Sequence, residues 1–186
     1  MSTELSTSED AERLFDRYAF PDWLRVHCRL VGAIARTLAD ARRALGDDVD
    51  VGSVTLAGYL HDIGRSPLLK GEPREHNELS ALVLAAEGLD ACVEPARRHA
   101  IYTVLDPKTA PRTMSEKLVY TADRRGGMTI VSVEERAKET AARHPQYTDE
   151  IMRSIPLALA IEREVFAGLP FGPGDLAAHV DAPAKR

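Results

Sequence analysis

The sequence contains little cysteine and few aromatic residues, and both shortages limit what the protein can be. Cys28 and Cys92 are its two cysteines among 186 residues, too few for a disulfide framework or a cysteine-based zinc site. Both lie in helical patterns, so we expect them to be small buried hydrophobic residues. Aromatic residues make up 5% of the chain, whereas all hydrophobic residues make up 44%. The core must therefore be built mainly from Leu, Val, Ile and Ala.

Long apolar runs and an excess of positive charge are also missing. No segment approaches the length needed to span a bilayer, and residues 1–10 show neither the basic nor the apolar region of a secretory signal. We therefore expect a cytoplasmic protein without a membrane partner. The net charge of −5 provides no field to attract long nucleic acids, so none is expected as a partner. Local cations can still bind a small phosphorylated substrate.

Length and apolar spacing predict one helical domain. A chain of 186 residues can enclose one proper core but is short for two domains of ordinary size. Apolar residues recur three and four positions apart along most of it, which predicts an all-α, single-domain helical bundle. Residues 1–9 are predicted to be a flexible N-terminus, residues 10–169 the helical domain, and residues 170–186 a loose tail that contains Pro and Gly.

Caps, prolines and glycines between the apolar stripes predict where the helices begin and end. The predicted helices span residues 10–18, 22–45, 51–63, 73–87, 90–104, 115–123, 132–143 and 148–166. Ser132 and Glu135 have the spacing of a capping box. Pro156 should kink or restart the last helix. Residues 128–133 are the one candidate for a strand.

Several histidines interrupt the apolar faces of these helices. His27 precedes apolar residues that lie three, four and seven positions further on, so it should face the core. His76 and His99 have apolar neighbours at similar spacings and are also expected to face inward. A lone buried histidine can be satisfied by one hydrogen bond without a metal. Each of these positions is therefore ambiguous when it is considered alone.

Two aspartates stand at predicted helix C-termini, where the helix dipole makes a negative charge unfavourable. Asp62, which follows His61, ends one apolar run, and Asp123 ends another. A nearby cation would remedy both mismatches; the alternative is a surface ion pair, such as Asp62 with Arg65. Adjacent helical residues diverge by about 100°. In a regular helix, His61 and Asp62 therefore cannot both bind the same metal ion. Either the helix frays at this end, or the carboxylate bridges two metal ions.

Together these residues predict a metal site between the helices of the bundle. Imidazole and carboxylate are the main protein ligands of hard and borderline divalent metals, and burying so many polar groups is costly unless something neutralises them. The six candidate ligands are His27, His61, Asp62, His76, His99 and Asp123. His144 and His179 have loop-like surroundings and are left outside the predicted site.

The order of these ligands resembles that of the HD superfamily of metal-dependent phosphohydrolases. The tetrapeptide His61-Asp62-Ile63-Gly64 is the motif that names one branch of the superfamily, and residues 116–123 (EKLVYTAD) look like the segment that closes its domain. Residues 130–136 (IVSVEER) are similar to a stretch found in a bacterial and archaeal subgroup of uncharacterised members. The resemblance extends over roughly residues 22–166, which is most of the chain.

The resemblance implies an HD-type helical bundle with two divalent metal ions between its helices. The implied core metal set is His27, His61, Asp62 and Asp123. His76 and His99 would hold a second ion, and the Asp62 carboxylate would bridge the two. Such a mixed set of nitrogen and oxygen ligands suits Fe, Mn, Co, Ni or Zn.

The expected reaction is hydrolysis of a phosphate ester, in a nucleotide or a similar small phosphorylated substrate, by a metal-bound hydroxide. Asp62 would orient that nucleophile and is the expected catalytic residue. Four cations are candidates to neutralise the phosphate, with solvated surface as the alternative for each: Arg65, Lys70, Lys117 and Arg124. Arg65 stands where the family often has lysine. It can grip phosphate with two hydrogen bonds but cannot donate a proton in the same way.

Three other activities are compatible with the resemblance. A symmetrical dinucleoside tetraphosphate hydrolase belongs to the same reaction class. A mixed-valent di-iron oxygenase uses the same six ligands, and dioxygen-dependent turnover would distinguish it. A non-catalytic nucleotide-binding regulatory module would bind metal or ligand without turnover. The sequence predicts neither the native metal nor the oligomeric state.

Overall fold

The structure, a computed structural model, describes residues 3–181. Within this range the chain forms nine α-helices and no β-strand, which confirms the prediction of a single all-α domain. The helices are α1 (Thr3–Arg17), α2 (Asp22–Ala44), α3 (Val51–Leu60), α4 (His76–Ala86), α5 (Asp90–Arg97), α6 (Met114–Arg125), α7 (Val133–Arg143), α8 (Thr148–Phe166) and α9 (Leu176–His179). Short 3-10 turns lie at Ile63–Arg65, Pro67–Leu69, Ile101–Leu105, Pro145–Tyr147 and Pro173–Asp175.

Helix α2 packs against both α3 and α6. Glycines let α2 and α3 approach closely: a Cβ atom on Gly58 would lie 2.8 Å from Cβ of Ala35, and one on Gly32 would lie 2.7 Å from the Tyr59 ring. Helix α4 packs on α5, and α8 packs on α6 and α7. This packing brings the ends of α3, α5 and α6 and the start of α4 to the part of α2 that contains His27.

Helix α3 ends at Leu60 rather than at the predicted residue 63. His61 is its C-cap, and Asp62 already leaves helical geometry, with φ −102° and ψ 17°. The 3-10 turn that follows holds Gly64 against the start of α4, where its N–H donates to Ser80 Oγ at 2.9 Å. A Cβ atom on Gly64 would lie 2.0 Å from the carbonyl oxygen of residue 76, so this contact requires glycine. Gly64 thus serves close packing rather than ending a helix.

Helices α4 and α5 also differ from their predicted ranges near the metal ligands. Helix α4 begins at His76 rather than at residue 73, after an extended Glu75 with φ −62° and ψ 148°. Helix α5 ends at Arg97, so the predicted helix over residues 90–104 is broken. His99 lies in this break, where Thr103 Oγ1 donates to the carbonyl oxygens around it.

The C-terminal residues that the structure describes fold back onto the core. Residues 170–186 were predicted to be a loose tail, but Leu176 is fully buried. Arg125 Nη2 donates to the carbonyl oxygen of Pro173 at 2.7 Å, and the rings of Phe171 and His179 stack at 4.1 Å. Residues 182–186 of that prediction lie outside the described range.

The remaining boundaries differ less from those predicted. Helix α1 begins at Thr3 rather than at residue 10, and α6 spans Met114–Arg125 rather than residues 115–123. The capping box of Ser132 starts α7 as expected. Helix α8 continues through Pro156 without restarting. Between residues 3 and 181, no helix is both long enough and apolar enough to cross a membrane. The strand candidate at residues 128–133 contributes only to one isolated bridge.

Candidate metal centre

Five helices bring the six candidate ligands into one cluster. Their positions are His27 on α2, His61 and Asp62 just after α3, His76 at the start of α4, His99 just after α5, and Asp123 in the last turn of α6. Five of the six are more than nine-tenths buried, and the side chain of His76 is 19% exposed. The structure therefore places side chains that are up to 96 positions apart in the sequence (residues 27 to 123) within one interior site.

A first ligand group is formed by His27, His61 and Asp123. His27 Nε2 lies 3.2 Å from His61 Nε2 and 3.3 Å from Asp123 Oδ1. His61 Nε2 lies 3.7 Å from the same Asp123 oxygen. Asp62 Oδ2 approaches both imidazoles, at 3.8 Å from His27 Nε2 and 3.7 Å from His61 Nε2. The ligand atoms of His27, His61 and Asp123 are close enough to one another to hold one metal ion, and so are those of His61, Asp62 and His99.

A second ligand group is formed by His76 and His99 on the other side of Asp62. Their Nε2 atoms lie 3.2 Å apart. Asp62 Oδ1 lies 3.5 Å from His76 Nε2 and 3.2 Å from His99 Nε2. The two oxygens of Asp62 therefore face different groups of imidazoles.

The hydrogen bonds of the imidazoles show that these side chains fit a metal centre. His61 Nδ1 lies 2.8 Å from the carbonyl oxygen of Gly58, and His99 Nδ1 lies 2.5 Å from that of Ala96. Because a carbonyl oxygen can only accept, each Nδ1 donates and, in the neutral ring, each Nε2 presents a lone pair. Lone pairs and carboxylate oxygens thus converge in a buried site, which is favourable when cations lie between them.

Both carboxylates of the centre stay ionised. Burial by itself would raise the pKa of Asp62 and of Asp123, but each pKa lies well below the ordinary value because Arg65 stabilises Asp62 and Arg124 stabilises Asp123. Arg65 Nε donates to Asp62 Oδ1 at 2.8 Å, and Arg124 donates to Asp123 Oδ2. The ion pairs that were the alternatives to a metal site therefore do form. They lie at the buried ligand cluster rather than on an open surface.

The histidines of the two groups differ in their electrostatic surroundings. Burial lowers the pKa of His99, and burial followed by Arg65 lowers that of His76 well below the ordinary value. Burial also opposes the charged form of His61, but Asp62 and Asp123 outweigh it and raise its pKa. The neutral form is therefore favoured for His76 and His99, whereas the two carboxylates favour the charged form of His61.

The centre opens into a cleft of about 1220 Å³. Large apolar side chains line part of it: Trp23, Ile101, Tyr102, Met128, Tyr147 and Ile151. Basic side chains line another part: Arg65, Arg124, Arg136, Arg143 and His144. Acidic side chains outside the ligand cluster also contribute, namely Glu75, Glu139 and Glu150. The cleft can therefore contact both an anionic and an apolar part of a ligand.

The structure brings two of the four predicted phosphate-binding cations to this cleft. Arg65 is 38% exposed and contacts Asp62 and His76, and Arg124 lies beside Asp123. Lys70 is exposed and is not among the residues that line the cleft. Lys117 forms an ion pair with Glu164 and is not among them either. Neither lysine is therefore placed to bind a phosphate at the centre.

Sequence reasoning missed Arg136, which lies on α7 close to the first ligand group. Its Nη2 atom is 3.9 Å from Asp123 Oδ1, and its side chain is 12% exposed. Arg143 and His144, further along the same helix, also line the cleft. The signal in the sequence was the position of Arg136 at the end of the segment 130–136, which had been noted for its resemblance but not for its charge.

Comparisons with known proteins agree with this arrangement. The model of the HD domain family matches residues 24–128, and this range contains all six ligands. The chain is similar to an uncharacterised protein of Methanocaldococcus jannaschii, with 39% identity over 108 residues. That alignment includes 52% of this chain and 62% of the relative, so the chain spans less than two thirds of the relative's length. No solved structure matches the chain. Because the family model matches more than half of its residues, the chain belongs to the HD domain family, which is a family of metal-dependent hydrolases.

Proposed function

We propose that this protein is a metal-dependent phosphohydrolase that cleaves a phosphate ester of a nucleotide or a similar small phosphorylated substrate. The observation that supports this proposal most directly is the position of Asp62. Its two oxygens face two imidazole groups, in a centre that opens into a cleft lined by arginines. A carboxylate between two imidazole groups could hold the two ions that act on a phosphate ester, and the arginines could bind its charge.

The ligand set indicates which ions the centre would hold. His27, His61, Asp123 and one oxygen of Asp62 would hold the first ion, and the remaining ligands are the other Asp62 oxygen with the two histidines of the second group. Two divalent ions of Fe, Mn, Co, Ni or Zn fit these nitrogen and oxygen atoms. When bound, such ions supply Lewis acidity, which activates a water molecule and polarises a phosphoryl oxygen.

The side chains around the centre position the ligands and bind charge. Arg65 holds Asp62 by a hydrogen bond of 2.8 Å and so helps to keep the bridging carboxylate ionised and oriented. Arg65 is also exposed enough to meet a phosphate in the cleft. Guanidinium groups match phosphate oxygens geometrically and remain protonated, so Arg65 would bind the phosphate rather than transfer a proton to it. Arg124 beside Asp123 would neutralise phosphate charge in the same way.

The cleft is large enough for more than a phosphate group. Its volume of about 1220 Å³ exceeds the range of about 300–1,000 Å³ that is typical of small-molecule sites. The aromatic rings of Trp23, Tyr102 and Tyr147 provide apolar surface for a base or another planar group. A dinucleoside tetraphosphate therefore belongs among the substrates to be screened, beside simple nucleotides.

The proposal can be tested by elemental analysis followed by a hydrolysis screen. We expect about two metal ions per chain and release of phosphate or nucleotide from one of the nucleotides or dinucleotides when Fe or Mn is added. Asp62→Ala should remove this activity without loss of fold. Asp40→Ala should keep both the activity and the fold. Asp40 is a suitable control because it is exposed on α2, the helix that contributes His27. Turnover in the metal-free protein would contradict the proposal.

Two other results would indicate the other activities. Dioxygen consumption with an iron absorption band, in place of phosphate release, would indicate a di-iron oxygenase. Metal and nucleotide binding without turnover of any phosphate ester would indicate a regulatory module. Either result would overturn the proposed hydrolase. The arginines of the cleft favour a phosphorylated substrate because they provide paired donors for phosphate oxygens.

A further inference from the structure

Arg136 is a largely buried cation whose hydrogen-bonding capacity is poorly used. Its contacts with carboxylates are long, at 3.9 Å between Nη2 and Asp123 Oδ1 and 3.5 Å between Nη1 and Glu139 Oε2. Its Nε atom is buried and has no hydrogen-bond partner. The same is true of Nε of Arg124, a residue that is 6% exposed. Nε of Arg125, outside the residues that line the cleft, is unpaired as well. The terminal nitrogens of Arg136 are therefore the atoms that indicate a ligand, because their long contacts in the cleft leave room for a closer anionic partner.

The charges of the ligand cluster strengthen this argument. Asp123 contacts both arginines and is also a candidate ligand of the first ion. Two divalent ions would bring more positive charge than Asp62 and Asp123 together can neutralise. Arg65, Arg124 and Arg136 would then all lack a full counter-charge. An anionic ligand with more negative charge than a single phosphate would supply it.

The basic side chains continue along α7 away from the centre. Residues 136, 140 and 143 are four and seven positions apart and so share one face of the helix. Arg136, Thr140 and Arg143 all line the cleft, and His144 follows at the end of the helix. From residue 136 to residue 143 the helix rises by about 10 Å. Glu139 lies on the same helix and offsets part of the charge through its contact with Arg136.

From these contacts we propose that Arg136 binds a second phosphate group of the substrate, next to the phosphate held at the metal centre. The substrate would then be a diphosphate or a longer phosphate chain, such as that of a nucleoside diphosphate. Arg124 and Arg136 contact different oxygens of Asp123, so Arg124 would contribute to binding the phosphate nearer the ligand cluster. This inference rests on the proposed function, because it assumes that the metal centre holds the first phosphate.

The inference can be tested by ligand binding without turnover. Isothermal titration calorimetry would compare methylenediphosphonate, a diphosphate that is not hydrolysed, with inorganic phosphate on the Mn-loaded protein. We expect the diphosphonate to bind at least about ten times more tightly, since hydrogen bonds to charged groups are worth about that factor or more. Arg136→Gln should reduce this ratio of affinities about tenfold or more, and Arg136→Lys should reduce it less because the charge remains. ADP would show whether a nucleoside adds affinity through the apolar wall.

Two controls make the result specific to the second phosphate. Arg153→Gln removes one exposed positive charge from α8, outside the residues that line the cleft, and should leave the ratio unchanged. Elemental analysis after each titration checks that the diphosphonate has not extracted the metal. Equal affinities of the wild-type protein for both ligands would refute the inference, and so would an Arg136→Gln variant that loses affinity for both in equal proportion. Failure of the hydrolase proposal would appear separately, as absence of turnover in the hydrolysis screen.

Discussion

Replacement of Asp62 should release more metal ions from the protein than replacement of Asp123. Asp62 contacts both ligand groups, through distances of 3.7 Å and 3.8 Å on one side and 3.2 Å and 3.5 Å on the other. Asp123 contacts only the first group, at 3.3 Å from His27 and 3.7 Å from His61. We therefore expect Asp62→Asn to lose both ions and Asp123→Asn to lose one. Asparagine keeps the size of the side chain but removes the charge and weakens the ligand.

The expected effect on thermal stability follows from the linkage between binding and folding. An ion supplied at about 100 times its dissociation constant stabilises the folded state by about 2.7 kcal/mol, so two ions contribute about 5 kcal/mol. For a domain of this size, 1 kcal/mol raises Tm by about 2–4 °C. Loading the wild-type protein with metal should therefore raise Tm by about 10–20 °C. The rise should be about half as large for Asp123→Asn and close to zero for Asp62→Asn.

Differential scanning calorimetry of metal-stripped proteins, with and without added Mn, measures these shifts, and elemental analysis counts the ions. Asp40→Asn is the matched control because Asp40 is exposed and its ion pair with Arg36 is long, at 3.6 Å. Such surface pairs contribute at most about 1 kcal/mol, so this variant should keep the full metal-dependent shift. A full shift in Asp62→Asn, or a greater loss in Asp123→Asn than in Asp62→Asn, would refute the bridging arrangement.

Three further predictions concern residues around the centre. Arg65 Nη2 lies 3.0 Å from His76 Nε2, so Arg65→Gln should remove charge repulsion and tighten binding of the second ion by about tenfold; weaker binding in a chelator competition assay would contradict this. A Cβ atom on Gly64 would lie 2.0 Å from a backbone oxygen of α4, whereas one on Gly174 would meet nothing within 4 Å. Gly64→Ala should therefore lower Tm by about 5 °C or more and Gly174→Ala should not; equal Tm values would show that the start of α4 is not packed as described. Burial, with nearby glutamates, raises the pKa of Tyr102 to about 12. The folded state therefore favours the neutral phenol. The stability that Tyr102 contributes in this way should be lost as the pH rises from about 10 to about 12. Tyr102→Phe should remove this part of the pH dependence in urea unfolding, and an unchanged profile would show that Tyr102 is not its source.

The parts of the molecule that were predicted well depend on local sequence. Apolar residues three and four positions apart predict helices because the periodicity of a helix is a property of neighbouring residues. The capping box of Ser132 predicted the start of α7 because both of its hydrogen bonds form within four residues. The inward position of His27 followed in the same way from the apolar stripe on α2. The types of side chain suited to a metal, and their order in the chain, were also evident in the sequence.

The parts that were predicted poorly depend on contacts between distant segments. The early end of α3 depends on the packing of Gly64 against α4. The break after Arg97 places His99 beside Asp62, which is 37 positions away in the sequence. No local pattern of caps or apolar spacing encodes these contacts, because the energy that selects them comes from packing between helices.

By itself the sequence determined an all-helical HD domain with imidazole and carboxylate groups on inward faces. Only the tertiary structure decided that each oxygen of Asp62 faces a different pair of imidazoles. It also placed Arg136 beside Asp123 and paired Lys117 with Glu164 away from the cleft. The physical reason is that ligation and ion pairing act over a few ångströms, and those distances are set by how helices cross rather than by the order of residues along the chain.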